Sequence, residues 1–234
     1  MEEKLIDKLL LIGKSVPSLL IGTLISIELA LAFLGFGFVV GIPLAVGEVY
    51  GNKFVKYLTV LPIVEFFRSI PALVLLFLFY FGASSLNLNF SPFIAALLAM
   101  GFRSAAYQSQ IFRGAIQSID VGQMLAARSI GMSKFKAIRY IILPQALRIS
   151  IPSWSNEYAS VLKDTSLVYA LGITELMRQG RYIVARTFGN AILVYVVCAL
   201  IYFLVVHFGV KLLDFLEERY KIPGYEIKKV TTRA

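Results

Sequence analysis

The sequence predicts an all-α integral membrane protein with five membrane-spanning helices, an N-terminal amphipathic helix and a helical cytoplasmic loop. Three observations lead to this fold class: the apolar content, the shortage of charge and the number of apolar stretches. Of the 234 residues, 58% are hydrophobic and 16% are charged, and the mean hydropathy is +0.77. An average soluble domain is roughly 45–50% apolar and about 25% charged. Five separate stretches are also long enough to cross a bilayer, which takes about 20 helical residues.

The same composition excludes several classes of protein. A disordered chain, a coiled coil and a soluble enzyme are all poor matches to it. Cys198 is the one cysteine and His207 the one histidine, so neither an intrachain disulfide nor a cysteine metal cluster is expected, and a Ser-His-Asp triad has little support. The net charge of +9 is therefore interpreted as a membrane topology signal rather than as a nucleic-acid surface.

The elements follow in order along the chain, which is expected to form one domain, residues 1–234. Residues 1–16 mix Glu, Asp and Lys with Leu and Ile at a spacing that predicts an amphipathic helix on the membrane surface. Acidic residues stand where a signal peptide has its basic region, so this segment is not expected to be one. The spans lie within 18–213 and a tail covers 214–234. The predicted spans are Ser18–Val46, Leu58–Ala83, Pro92–Phe112, Ile149–Ile173 and Phe188–Leu213.

Basic residues are distributed unevenly between the connecting segments. Fourteen lie in 47–57, 113–148 and the tail from 211, against six on the other side. The positive-inside rule places the first group in the cytoplasm, so the N-terminus is expected outside and the C-terminus inside. Segment 174–187 carries three arginines on the outer side, and it either contacts a partner protein or forms a surface helix.

The longest cytoplasmic segment, 120–148, predicts a short helix held between two spans. Met124–Ile130 is a run of helix formers, and Gly131 provides a C-terminal stop. Ser133 is a candidate N-cap for a following helix, which is expected to end near Pro144. On the residues alone, an ordinary basic loop between spans is the favoured interpretation, and a docking helix is the alternative.

This segment resembles the EAA loop of ABC importer permeases, whose pattern is Glu-Ala-Ala, a Gly four residues on and a later Ile-Leu-Pro. Residues 65–82, 104–123 and 143–168 are similar to the polar amino acid subfamily, which takes up histidine, glutamine, glutamate, arginine and opines. The resemblance covers roughly residues 15–220. Leu125 departs from the pattern, since the family has Glu there and an ionic contact by that Glu is lost. The matching residues are Ala126, Ala127, Gly131, Ile142, Leu143 and Pro144.

The resemblance implies the type I ABC importer permease fold and a two-fold assembly in the prokaryotic inner membrane. Two permease subunits, identical or similar, form the path for a polar amino acid, and the intramembrane acids favour a basic one, with glutamine still open. Two cytoplasmic ATPase subunits dock on the short helix, and an extracytoplasmic binding protein delivers the substrate. The residues expected to contact the ATPase are Gln123, Leu125, Ala126, Ala127, Gly131 and Pro144.

ATP chemistry is expected on the partner subunits. The sequence contains no Gly-x-x-x-x-Gly-Lys-Ser/Thr loop for phosphate binding. ATP and Mg²⁺ are therefore assigned to the ATPase, and this chain is expected to bind no cofactor and to catalyse no reaction. Gly37 and Gly41 lie inside the first span, where a close helix contact explains them better than a phosphate loop does.

Polar residues inside the spans are the candidates for substrate contact. A charge at the centre of a span costs about 2.5–3.5 kcal/mol on translocon scales, so it usually faces a partner or an aqueous path. An amino acid carries an ammonium and a carboxylate, and its site needs both signs. Each charge also has a structural alternative, pairing within the protein, as Glu65 and Arg68 are able to do. The candidates are Glu65, Arg68, Arg103, Tyr107, Asn156, Glu157, Lys163 and Asp164.

Two other functions stay open from the sequence. A secondary transporter or channel that works alone would also use intramembrane Glu and Arg, but five spans without a visible inverted repeat disfavour it. A scaffold that only anchors an ATPase would need the short helix but no path. The EAA-like loop favours the importer over both.

Overall fold

The computed structural model describes residues 2–186 and 191–220, with side chains from residue 13 onward. Within these ranges every regular element is a helix, and no strand occurs. The first helix, α1, covers Glu2–Tyr50 without a break. The predicted amphipathic segment and the first span are therefore one continuous helix rather than two elements. The surface position of residues 1–16 stays a prediction, because the side chains before residue 13 lie outside the described part.

The second predicted span, Leu58–Ala83, is bent sharply within its length. Pro71 causes the break, because it has no N–H to donate and it restricts the preceding Ile70 to an extended conformation. The halves before and after the break, Val55–Ser69 and Ala72–Ser85, are bent by 107°. The elements are a π-helical turn (Val55–Val60), α2 (Leu61–Ser69), α3 (Ala72–Phe77), a second π-helical turn (Leu78–Gly82) and α4 (Ala83–Ser85).

The third predicted span is α5, Pro92–Ser118, which lies at the centre of the bundle. The Ser91 side chain caps its first turn by accepting a backbone hydrogen bond. Small side chains dominate its buried face, including Ala95, Ala96 and Ala99. Neighbouring helices therefore approach this face closely.

α1 crosses α5 at two glycines. A Cβ at Gly37 would collide with the Gln108 side chain, and one at Gly41 would lie 3.0 Å from the Ala105 carbonyl oxygen. The close helix contact predicted for these two glycines is confirmed. By contrast, a Cβ at Gly35 would meet no atom within 4 Å.

The segment predicted as the cytoplasmic loop runs into the fourth span without a break in the helix. The prediction that a helix ends near Pro144 is therefore wrong, because α8 passes through this residue. A π-helical turn just before it widens the backbone, which makes room for the pyrrolidine ring beside the preceding carbonyl groups. The elements are α6 (Val121–Ser129), α7 (Lys134–Ala137), the π-helical turn (Ile138–Ile142) and α8 (Leu143–Asp164).

Beyond α8, the fourth span is completed by a 3₁₀ helix, Thr165–Leu171. Gly172 follows with a left-handed φ of +99°, which favours glycine. The chain continues as α9, Leu176–Arg186, and α10, Ala191–Tyr220, and α10 extends past the predicted end of the fifth span. Residues 187–190, at the predicted start of that span, and most of the predicted tail, 221–234, lie outside the described residues.

The helices differ in how well they suit a bilayer. In the described part of the chain, Gly13–Tyr50 and Ala191–Tyr220 are each long and apolar enough to cross one, and the bent pair gives a third if it counts as one span. α5 and α8 have 27 and 22 residues but are too polar to meet the same measure. Their polar side chains face each other inside the bundle, as described next.

Candidate functional site

An ion pair joins the two polar helices at the middle of the bundle. Arg103 Nη1 of α5 lies 2.9 Å from Asp164 Oδ2 at the end of α8. Their side chains are 19% and 26% exposed, so the pair is only partly covered. Of the two roles weighed for these residues, internal pairing is the one present in this structure.

A separate chain of hydrogen bonds also joins α5 and α8. Glu157 is buried, and its Oε1 accepts a hydrogen bond from Ser104 Oγ at 2.8 Å. Gln108 Nε2 donates to Ser104 Oγ and to the Leu34 carbonyl oxygen, both at 3.0 Å. Trp154 Nε1 donates to Gln108 Oε1 at 2.8 Å. Side chains of α5 and α8 and the backbone of α1 are thereby connected.

Sequence analysis missed Ser104 and Gln108, which carry this network. Their spacing of four residues places them on one face of α5, next to the predicted Arg103 and Tyr107. A glutamine between small residues in a predicted span was a signal that the sequence offered. The position of Glu157 opposite Ser104 could not be predicted, because it depends on how α5 and α8 cross.

Tyr107 lies between two guanidinium groups. Its ring centre is 4.9 Å from the Arg103 guanidinium carbon and 5.4 Å from that of Arg68. Arg68 in turn pairs with Glu65 at 3.7 Å, on a partly exposed surface. The structure therefore shows the internal pairing that the spacing of Glu65 and Arg68 allows. We call the six residues of this region the charged cluster: Glu65, Arg68, Arg103, Tyr107, Glu157 and Asp164.

Two of the eight predicted substrate residues lie elsewhere. Asn156 is exposed, and its Nδ2 is 3.5 Å from the Pro152 carbonyl oxygen of its own helix. Lys163 is exposed beside a groove that α10 lines with Tyr202 and His207. Neither joins the charged cluster. In the described ranges no group of three or more His, Cys, Asp or Glu side chains is placed to hold a metal ion.

Most of the predicted coupling residues lie in α6 or at its end, and Pro144 lies in α8. The Asp120 carboxylate caps α6 by accepting the Gly122 N–H at 2.7 Å. At its other end Gly131 has φ +88°, and the Met132 N–H donates to the Ala127 carbonyl oxygen at 3.1 Å. This is the glycine-terminated helix end expected from the sequence. The helix begins three residues earlier and ends one residue earlier than predicted.

Several large apolar side chains are exposed on and beside α6. Leu125 is 62% exposed and Ile130 80%, and Val121 and Phe135 are exposed as well. Gln123, Ala126 and Pro144 are also exposed, whereas Ala127 is buried. Exposed apolar patches of this kind mark interaction surfaces. Lys134 Nζ ties the loop to α1 by donating to the Tyr50 carbonyl oxygen at 2.8 Å.

Two further acids, Glu175 and Glu48, are buried. Neither was predicted to be buried. Glu175 was grouped with the charged outer segment 174–187, but it is fully buried at the start of α9. Its carboxylate accepts the N–H groups of Met177 and Arg178 at 2.8 Å each. Glu48 is also buried, and Gln110 Nε2 donates to it at 2.9 Å. Both acids therefore have structural roles that their sequence context did not reveal.

Comparisons with known proteins agree with this architecture. Residues 37–222 match the family described as binding-protein-dependent transport system inner membrane component. The chain is 39% identical over 168 residues to a probable amino-acid permease, YxeN, of Bacillus subtilis, covering 70% of this chain and 75% of that one. It is 32% identical over 213 residues to the glutamine transport permease GlnP of Escherichia coli, covering 90% and 96%.

A solved structure is also similar. A crystal structure of an amino acid ABC transporter with histidines superposes with a TM-score of 0.80 at 33% identity, over 89% of this chain and 96% of that one. The expected type I ABC permease fold is thereby confirmed. The chain belongs to the inner membrane components of binding-protein-dependent transport systems and is the permease component of an amino acid ABC transporter.

Proposed function

We propose that this permease conducts a polar amino acid with a cationic side chain through the charged cluster. The observation that carries the proposal is Glu157, a buried carboxylate that accepts a hydrogen bond from Ser104 and forms no ion pair among the described side chains. A buried carboxylate is costly unless it is paired, and a cationic substrate would supply the partner.

The Arg103–Asp164 pair suits the other end of the substrate. An amino acid is a zwitterion, so its carboxylate can replace Asp164 beside Arg103 while its ammonium binds Asp164. This exchange leaves no charge unpaired at either step. The Tyr107 ring packs against the Arg103 guanidinium and keeps it oriented while the partners change.

Energy for transport comes, in this proposal, from ATP hydrolysis on separate subunits. α6 is the coupling helix: its capped ends make it rigid, and its apolar face fits a groove on a cytoplasmic ATPase. ATP and Mg²⁺ bind there, and this chain catalyses no reaction. The N-terminus then lies outside the cell and the C-terminus in the cytoplasm. The family description, which names a binding protein, supports delivery of the substrate from outside.

The complete transporter contains two permease subunits and two ATPases. The second permease subunit is either a copy of this chain or a similar one. Large apolar side chains remain exposed along α1 and α10, including Leu24, Leu31 and Phe203, and they supply the surface for a second subunit and for lipid.

The test is uptake by proteoliposomes that contain the permease, its co-purified ATPase and the binding protein. We expect ATP-driven uptake of arginine, lysine or histidine in preference to glutamine. Glu157→Gln should reduce this preference by about ten-fold, as expected for one charge-assisted hydrogen bond. Glu218→Gln, which changes an exposed acid of α10 outside the charged cluster, is the matched control. Uptake that follows an ion gradient without ATP would instead identify a self-sufficient secondary transporter or channel.

A further inference from the structure

A polar cavity, separate from the charged cluster, lies at the end of the bundle away from α6. Because α8 starts beside the coupling loop and ends at Asp164, the 3₁₀ helix after it reaches that far end. The cavity has a volume of about 620 Å³, which is in the range of small-molecule sites. We call it the outer cavity, and its lining includes Tyr80, Phe81, Tyr169, Arg178, Arg181 and Tyr182.

Two guanidinium groups give the outer cavity its charge. Arg178 is held in place, because its Nε donates to the Tyr182 hydroxyl at 2.7 Å and its Nη1 to the Tyr169 carbonyl oxygen at 3.1 Å. The Arg181 guanidinium carbon lies 4.9 Å from the centre of the Tyr169 ring. Among the side chains that the structure describes, no carboxylate forms an ion pair with either arginine. The hydrogen bond from Arg178 also lowers the pKa of the Tyr182 hydroxyl.

The neighbouring acid does not face the outer cavity. The Glu175 carboxylate is buried against α10, where it accepts a hydrogen bond from the Tyr202 hydroxyl at 2.9 Å. No acidic residue belongs to the described lining. The cavity therefore presents two cations without an anion.

Gly172 leaves room for the Arg178 guanidinium group beside the outer cavity. A Cβ at Gly172 would lie 3.3 Å from Arg178 Nη1, so the glycine leaves room for it, and the left-handed backbone there also favours glycine. Tyr80 and Phe81 contribute aromatic rings to the lining from the bent second stretch. Aromatic rings are suited to an ammonium group, and the arginines of the lining are suited to a carboxylate.

We propose that the outer cavity is an entry site, in which Arg178 and Arg181 bind the α-carboxylate of the amino acid before it reaches the Arg103–Asp164 pair. This inference rests on the proposed transport function and adds a second position along the path. Tyr169 is five residues from Asp164 in a 3₁₀ helix, whose rise of about 2 Å per residue separates the two sites by about 10 Å. That distance is short enough for direct transfer.

Thiol labelling in proteoliposomes tests the entry site directly. Ala185→Cys introduces a thiol in the exposed lining, and the buried Cys198 of the unsubstituted chain measures the background. The probes are an anionic sulfonate-bearing thiosulfonate reagent and each of the twenty amino acids in phosphatidylcholine vesicles. We expect the transported amino acids to slow labelling and their carboxamide derivatives not to. Arg181→Gln should raise the half-protecting concentration by about ten-fold, while Arg186→Gln, on the same helix but outside the cavity, should leave it unchanged.

The outcomes separate this inference from the transport function. ATP-driven uptake is measured on the same vesicles, so its failure counts against the proposed function. Working uptake without protection by any amino acid would overturn the entry site alone. Equal protection by the carboxamides, or equal effects of Arg181→Gln and Arg186→Gln, would also overturn it. Protection that requires the binding protein and no free amino acid would assign the arginines to an acidic surface of that protein instead.

Discussion

At the residue scale, Gly131 shows how one backbone angle fixes the end of a helix, α6. Its φ of +88° lies in the left-handed region, yet an added Cβ would meet no atom within 4 Å. The need for glycine therefore comes from the backbone conformation and not from lack of space. Asparagine adopts this conformation more readily than other residues with a Cβ, and a β-branched residue adopts it least readily.

Gly131→Val is expected to distort the end of α6 and weaken ATPase binding by about ten-fold, since a left-handed residue with a Cβ costs about 1–2 kcal/mol. Gly131→Asn should retain most of the binding. Pull-down of the ATPase measures the effect, and the melting temperature of the permease shows whether the membrane core is unchanged. Normal assembly of the valine variant would remove the docking role, and equal losses in both variants would contradict the backbone explanation.

At the element scale, the sequence was most informative where one residue type decides the structure. Pro71 lies in a predicted span and breaks it, and Gly131 ends α6 as expected. The 107° bend was not predictable, because it depends on how α3 packs against α5 after the break. Pro144 was misjudged for a related reason: the π-helical turn that accommodates it is a response of the backbone that local sequence preferences do not encode.

The crossing of α1 and α5 gives an element-scale prediction. Gly37→Ala places a methyl group against Gln108, and overpacking of this kind costs about 1–3 kcal/mol. The melting temperature of the purified permease should fall. Gly35→Ala is the matched control, since its Cβ would meet no atom within 4 Å, and it should have little effect. Equal losses in the two variants would contradict the role of the crossing, since helix propensity alone favours alanine over glycine at both positions.

At the scale of the whole molecule, polar helices are enclosed by apolar ones. α5 and α8 carry four residues of the charged cluster, and α2 carries Glu65 and Arg68. Among the described helices, α1 and α10 are the two that are each long and apolar enough to cross a bilayer. Six of the eight predicted substrate residues converge because intramembrane charges need partners. Asn156 and Lys163 were indistinguishable from them in sequence, since the direction of each side chain depends on how α8 is rotated in the bundle. Ser104 and Gln108 were missed because neutral polar residues carry a weaker signal than charges.

If α6 is the coupling helix, as proposed, Leu125 tests how it binds the ATPase. The family pattern has Glu at this position, whereas here an apolar side chain is 62% exposed beside Ile130. If docking depends on apolar burial, Leu125→Asp should weaken ATPase binding by about ten-fold or more, because a full leucine contact contributes about 1.5–3 kcal/mol. Gln117→Glu adds the same charge on an exposed position just before the loop and should have little effect. Binding measured at low and high salt separates an apolar contact from an ionic one. We expect binding of the unsubstituted chain to persist at high salt. Its loss there would indicate an ionic contact elsewhere that replaces the one made by the family's Glu.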